Sequence, residues 1–314
     1  MNYAVIDIGT NTLILLIGKV KGKKLDKILL DQACITRLGQ GLTENHFFIS
    51  QAMNRTREVL VGFKKKCQEH DVKKIVAVGT AACRTAANAQ IFIEAVAKET
   101  KIKTQIISGD EEAEYTFLAV NHDFGDKNKK AIVADIGGGS TEIITGNLGP
   151  KIKEPETTIS LPMGSVLLTE MFVRSDPISQ DEFQRLQTSI RNNLADELDD
   201  FYPKDFNPQD YTFIATAGTA TTLAAVAKKL KVYKPEKVHG SKLELQTLHQ
   251  LIKDFAGMSV KDRQQLPGME SLRADVILAG ALLLSELMRY FKQDKAVISD
   301  HGLRYGVFAK KFLG

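Results

Sequence analysis

Cysteine is scarce in this 314-residue sequence. Its three copies, Cys34, Cys67 and Cys83, are too few and too scattered for a disulfide framework or a zinc site, and they fit reduced thiols in a cytoplasm. The histidines show no metal-binding spacing. His239 and His301 each precede a glycine in an expected loop and take no role from spacing alone. Proline is limited to 8 residues, and no low-complexity tract or long disordered linker is expected. The longest apolar run, ADVILAGALLL at 274–284, is too short to span a membrane and is charged on each flank. The chain opens directly on MNYAVIDIGT, without a basic stretch leading into an apolar one, so no secretory signal is expected. No dense run of Lys and Arg interleaved with aromatics occurs, which leaves a nucleic-acid partner without support.

What remains is an ordinary globular composition, 43% apolar and 25% charged with 23 glycines. It is long enough for two domains of about 150 residues each. The formal charge of +4 is mild and compatible with small polyanionic ligands. The densest basic stretch, GKVKGKKLDK at 18–27, reads as a hairpin on a solvated face.

Period-two alternation in YAVIDIG (3–9) predicts a buried strand, TLILLIGKV (12–20) a second after a tight turn, and LDKILLDQACITRL a third. A helix is expected from Ser50, taken as its N-cap, with Ala52, Thr56, Val59, Leu60, Phe63 and Cys67 at spacings of three and four. KIVAVGT (74–80) reads as a strand, 87–99 as a helix, TQIIS (104–108) as a strand and 110–121 as a helix. The same order then recurs. AIVADIG (131–137), TEIITGN and the stretch through TTISLPMG read as strands, followed by helices near 163–173 and 179–200. YTFIATAG (211–218) feeds a helix at 219–229, a long helix covers 271–291, AVIS (296–299) is the last strand, and a helix closes the chain from 301.

The turns VIDIGTNT and VADIGGGST fall in register, Asp7 answering to Asp135 and Gly9 to Gly137. A repeated β-β-β-α-β-α-β-α order predicts an α/β protein of two duplicated domains, 1–124 and 125–314, with mixed five-stranded sheets facing a cleft. The polar stretch NHDFGDKNKK (121–130) is the expected hinge, and the closing helix is able to pack back on the first domain.

Phosphate is held well by backbone N–H groups pointing into a concavity, and glycine permits the close approach. Gly137-Gly138-Gly139-Ser140-Thr141 offers such a loop, and Gly9-Thr10-Asn11-Thr12 a smaller one with side-chain donors. Plain hairpin turns use the same residues, although three consecutive glycines exceed what a turn requires. Asp7 and Asp135 end the first strand of each half and, with Glu142 on the next strand, make a carboxylate set suited to magnesium. Either Asp alternatively accepts hydrogen bonds from its own turn. In SGDEEAEYTF (108–117), Ser108 and Glu111 have capping-box spacing, which leaves Glu112 unexplained. Ala113, Phe117 and Val120 form a buried stripe, and Glu112 beside it is placed to orient and deprotonate an attacking water. GTAACRTAAN (79–88) sets Arg84 just past the C-terminal end of a strand, where it can grip phosphate oxygens or join a surface ion pair. ATAGTATTLAAV (215–226) offers either a further anion-binding helix start or close helix–sheet packing.

As an ordered set, VIDIGTNT, RLGQGL, VGTAACRTAAN, IISGDEEAEYTF, VADIGGGSTE, SLPMGSVLLTE, AGTATTLAA, LPGMESLRADVILAGALLL and SDHGLRYGV resemble the exopolyphosphatase/guanosine pentaphosphate phosphohydrolase (Ppx/GppA) family, within the actin, Hsp70 and sugar-kinase superfamily. The resemblance implies a duplicated ribonuclease-H-like fold. It also implies release of terminal phosphate from inorganic polyphosphate or guanosine pentaphosphate, dependent on Mg2+ or another divalent cation. Glu112 matches the family's catalytic glutamate, the second Glu of G-x-E-E-A. Arg84 matches its phosphate-gripping arginine, and Gly137, Gly138, Gly139 and Ser140 its phosphate loop. Asp135 and Glu142 match acidic positions tied to metal or attacking water, and Thr10 and Asn11 match a Ser-Asn pair in the first turn.

Two departures stand out: Thr10 for the commoner Ser, and Tyr305 for the commoner Glu of G-L-R-E-G. Long family members append C-terminal helical domains that hold extended polymer. This sequence carries no such segment, and short polyphosphates and guanosine pentaphosphate are expected as comparable substrates. Two other functions remain open at this level, ATP-dependent transfer to an organic acceptor and non-catalytic sensing of guanosine tetra- or pentaphosphate. The segment 271–291 is either wholly core or partly the face of a homodimer.

Overall fold

Alternating apolar residues in the first 35 positions make three strands, β1 (Asn2–Ile8), β2 (Thr12–Lys21) and β3 (Lys24–Ile35), that pair as an antiparallel meander. The computed structural model describes residues 1–125, 129–152 and 154–313. These fall into two compact units, Met1–Ala119 with Gly302–Gly314, and Val120–His301.

In the first unit the meander is followed by α1 (Leu42–Asn45) and α2 (Ser50–Glu69). β4 (Val72–Gly79) then adds parallel to β1. The chain continues through α3 (Ala81–Thr85), α4 (Ala89–Thr100) and β5 (Thr104–Ile106), which pairs parallel to β4 and gives the order β3-β2-β1-β4-β5. Parallel neighbours need long crossovers, and α2 and α4 supply them. α2 buries Ala52, Thr56, Leu60, Phe63 and Cys67. Its N-cap is Ile49 rather than Ser50, because the first helical bond runs from Met53 N–H to the Ile49 carbonyl. The basic stretch 18–27 lies at the β2–β3 hairpin, where Gly22 takes φ 63° and the lysines are exposed.

α5 (Gly109–Phe124) opens with a reciprocal cap: Glu111 N–H donates to Ser108 Oγ at 3.1 Å, and Ser108 N–H donates to Glu111 Oε2 at 2.9 Å. The expected hinge 121–130 is helical through Phe124, and its residues 126–128 lie outside the described residues.

The second unit repeats the meander with β6 (Lys130–Ile136), β7 (Thr141–Asn147) and β8 (Thr157–Leu161). α6 (Ser165–Phe172) and α7 (Gln180–Leu198) precede β9 (Tyr211–Thr216), which runs parallel to β6. Then come α8 (Ala217–Ala227), α9 (Pro235–Val238), β10 (Lys242–Glu244), α10 (Leu245–Gly257), α11 (Val260–Arg263), α12 (Ile277–Tyr290) and β11 (Lys295–Ile298). The sheet order is β10-β11-β9-β6-β7-β8. It holds six strands where five were expected. The extra one, β10, is three residues long with only Leu243 buried, too short to show alternation.

Residues Ser271–Arg273 form a separate turn, so α12 begins later than the expected 271. From Ile277 to Met288 every residue of α12 is buried, which makes it a core helix. The one carboxylate it buries, Glu286, takes two bonds from Arg191 (2.8 and 3.1 Å) and one from Gln187 (2.8 Å), as a desolvated charge requires. Among the described residues no helix is long and apolar enough to cross a membrane.

α13 (Leu303–Phe312) returns to the first unit, where Leu303, Val307 and Phe308 join Val5, Leu16 and Tyr115 in one apolar cluster. Arg304 clamps both oxygens of Asp31 at 2.8 and 2.9 Å, and the Tyr305 hydroxyl donates to Asp31 Oδ2 at 2.9 Å. A glutamate at 305 would set a second carboxylate against Asp31, so the departure noted above is locally compensated. Gly306 is the tightest approach: a Cβ there would lie 1.6 Å from the Tyr115 carbonyl oxygen. Gly306→Ala is therefore expected to destabilise the protein by about 2–3 kcal/mol through overpacking against backbone. Gly62→Ala, in open space on α2, is expected to gain about 0.5–1 kcal/mol from helix propensity. Chemical denaturation of the two variants against the parent checks both signs.

Candidate functional site

Both first turns are closed by the same backbone bond. Gly9 N–H donates to the Thr12 carbonyl at 3.1 Å, and Gly137 N–H donates to the Ser140 carbonyl at 3.0 Å. A Cβ on either glycine would crowd the accepting oxygen, at 2.9 and 3.1 Å. The glycines are thus set by close approach within the turn.

In the first unit, Thr10 and Asn11 are buried and the segment after β3 folds back on them. Gly39 N–H donates to the Thr10 carbonyl at 2.8 Å, and Thr36 and Arg37 N–H both donate to the Asn11 carbonyl at 3.0 Å. Among the described residues the buried Asn11 Nδ2 has no hydrogen-bond partner. Arg84 lies in the short helix α3, just past the end of β4 as expected. Its Nη1 donates to Glu112 Oε2 at 2.7 Å and to the Ile107 carbonyl at 3.1 Å. Glu112 is 8% exposed, one position before the buried Ala113. The candidate base and the candidate phosphate-gripping arginine are therefore one ion pair. Beneath them Cys83 is pushed up to about 12, by burial first and then by the Asp7 carboxylate, with Glu112 adding to it against Arg84. Asp7 and Glu112 thus share one neighbourhood around an inert thiol. On the β1–β2 rung Asp7 faces Ile14, so no second carboxylate lies opposite it.

In the second unit the corresponding rung pairs Asp135 with Glu142. Directly opposed residues of antiparallel strands project to one face with Cβ atoms about 5 Å apart. Both carboxylates are buried, at 6% and 1% exposure, and a cation or a shared proton would relieve their repulsion. Glu142 Oε1 accepts from Ser140 Oγ and Ser160 Oγ, each at 2.8 Å. The Ser140 hydroxyl is thus turned to Glu142. Few carboxylates with room for water and phosphate oxygens suit magnesium, so the donor set fits that ion.

The glycine loop is aimed by α6. Ser165 N–H donates to the Gly137 carbonyl at 3.0 Å, while Val166 and Leu167 N–H donate to the Gly138 carbonyl at 2.9 and 3.1 Å. In a trans peptide the N–H points opposite to the C=O. The N–H groups of Gly138 and Gly139 are consequently turned away from α6. Gly164 permits this docking, since a Cβ there would sit 2.3 Å from the Gly138 carbonyl carbon. Sequence reasoning gave Gly164 no role. The glycine after SLPM carried a signal only as a possible close approach.

Arg273 was missed too. A Cβ on Gly218 would lie 2.1 Å from its Nη1, so the guanidinium rests on the start of α8. That helix follows Thr216, which pairs with Asp135 across β9 and β6. Burial pulls the Arg273 pKa below its ordinary value, against the Glu270 carboxylate.

The profile of the Ppx/GppA phosphatase family matches residues 16–313. The chain is 34% identical over 310 residues to a bifunctional 3-dehydroquinate synthase/phosphatase of Fusobacterium nucleatum, covering 95% of this chain but only 45% of that protein. It is 31% identical to exopolyphosphatase 2 of Mycobacterium tuberculosis, covering 97% of this chain and 96% of the relative. Among solved structures, the Aquifex aeolicus PPX-GPPA enzyme superposes with a TM-score of 0.79 at 33% identity, over 99% of both chains. The turn geometry, the buried acidic rung and these likenesses converge: the chain belongs to the Ppx/GppA phosphatase family.

Proposed function

We propose that the chain is a phosphohydrolase releasing terminal phosphate from inorganic polyphosphate or guanosine pentaphosphate with a divalent cation, magnesium. The observation that carries this reading is Glu112, buried and held by Arg84 at 2.7 Å, in a chain of the Ppx/GppA family. A positioned carboxylate shielded from bulk water suits general-base catalysis. The match to an exopolyphosphatase along almost its whole length supports the substrate class.

In the proposed reaction Glu112 orients a water and takes its proton as the water oxygen bonds to the terminal phosphorus. The bridging P–O bond then breaks, and its electrons leave with the shortened polyanion. Arg84 holds both Glu112 and phosphoryl oxygens. On the first unit Asn11 Nδ2 supplies a further donor to phosphate oxygens that gain charge, and on the second the amides of Gly138 and Gly139 offer an anion-binding loop of their own. Asp135 and Glu142 hold magnesium, which offsets phosphate charge when bound. Thr10, Ser140 and Asp7 shape these groups from the two turns.

Glu112→Gln keeps the shape of the side chain and removes the base. Phosphate release from either substrate, in magnesium, is expected to fall by about 10²–10⁴-fold in kcat with KM little changed. A variant with near-parental kcat would remove Glu112 from the role of base. Gly164→Ala tests the glycine loop separately: displacing it by about an ångström is expected to cost about 10²-fold in kcat/KM. Unchanged kinetics in a folded Gly164→Ala protein would take the loop out of the substrate site.

A further inference from the structure

Three segments of the second unit converge on a group of side chains that the proposed hydrolysis does not use. Asp123 lies in the last turn of α5, His239 follows α9, and His301 follows β11. One ligand atom of each falls within 4.8 Å of the others. His301 Nδ1 lies 2.8 Å from Asp123 Oδ2, and His239 Nε2 lies 3.9 Å from the same oxygen. The other carboxylate oxygen meets His122 Nδ1 at 3.1 Å. The rings are fixed by packing: His239 stacks on His301 at 4.5 Å between centroids and on Phe124 at 5.3 Å.

We propose that Asp123, His239 and His301 form a binding site for a transition-metal cation of the zinc type, separate from the acidic rung of Asp135 and Glu142. Two imidazoles and a carboxylate are the donors of zinc, cobalt and nickel sites, whereas magnesium takes oxygen ligands. Tetrahedral donors at about 2.1 Å from an ion lie about 3.4 Å apart. Loading therefore opens the Asp123–His301 contact and closes the Asp123–His239 one, each by about half an ångström. Water completes the coordination.

The ion displaces a proton from the ligand set, as zinc binding generally does. Ligation through Nε2 leaves the remaining proton of His239 on Nδ1. That atom accepts a long 3.3 Å bond from Asp300 N–H, which loading gives up. The Asp300 carboxylate also acts on this ring, through space.

The site is distinct by topology. β11 is two strands from β6 in the sheet, about 10 Å by strand spacing. Its position also gives it a consequence. Asp123 lies just after the chain enters this unit at Val120, and His301 is the last residue before it leaves. A bound ion clips the entering and leaving segments to one another.

The test is calorimetric titration of the full-length, metal-stripped protein with Zn2+ and, separately, with Mg2+, supported by visible spectra of the Co2+ form. One equivalent of Zn2+ is expected to bind, with tetrahedral Co2+ bands and a raised thermal midpoint. His239→Gln and Asp123→Asn are each expected to weaken Zn2+ binding by about 10²-fold or more and to abolish the Co2+ bands. Asp135→Asn is expected to leave both intact. If one of the first two variants fails to fold, the other decides. Zn2+ binding unchanged in the folded variants, absent from the parent, or lost on Asp135→Asn would overturn the proposal. None of these readouts depends on turnover.

Discussion

The phosphate-holding and magnesium-holding groups proposed for this chain depend on a four-residue turn closed by one backbone hydrogen bond, made twice. A glycine N–H reaches the carbonyl three residues on, Gly9 to Thr12 and Gly137 to Ser140, and the strands on either side are drawn into register. That register decides which side chains face one another. In the first unit it sets Asp7 against Ile14, and in the second it sets Asp135 against Glu142. The rung that carries Ile14 opposite the aspartate in one unit carries Glu142 in the other. The duplicated geometry thus supports unequal chemistry, and the acid assigned to water activation, Glu112, comes from a helix outside both turns.

Supporting contacts keep these turns from relaxing. The loop of three glycines is held by its carbonyls, which accept from the start of α6, and its amides face the other way as a consequence. The first turn is held in the same manner by the segment 36–39. In both cases the groups proposed to face the ligand are organised from behind by backbone bonds that do not compete with an anion. Preorganised donors of this kind need little reorganisation when charge develops on phosphate.

Much of this was legible in the sequence because it rests on local signals. Period-two alternation located the meanders, the Ser108–Glu111 spacing located the start of α5, and the repeat of Asp-Ile-Gly revealed the duplication. What escaped had other causes. β10 is too short to show a period. The helix α10, with Leu248, Ile252 and Phe255 at regular spacing, was readable and was passed over. Gly164, Arg273 and Gly306 matter through what they touch, and no spacing announces that a Cβ would strike backbone or a guanidinium. The triad of Asp123, His239 and His301 is scattered over 178 residues, so only the fold could assemble it.

The central claim is that water attacks the terminal phosphorus. Turnover in heavy-oxygen water tests it most directly, by mass analysis of the phosphate released from polyphosphate and of the shortened chain left behind. The account predicts one solvent oxygen in each released phosphate and none in the shortened chain. Label in the shortened chain, or unlabelled phosphate delivered to an added acceptor, would contradict it.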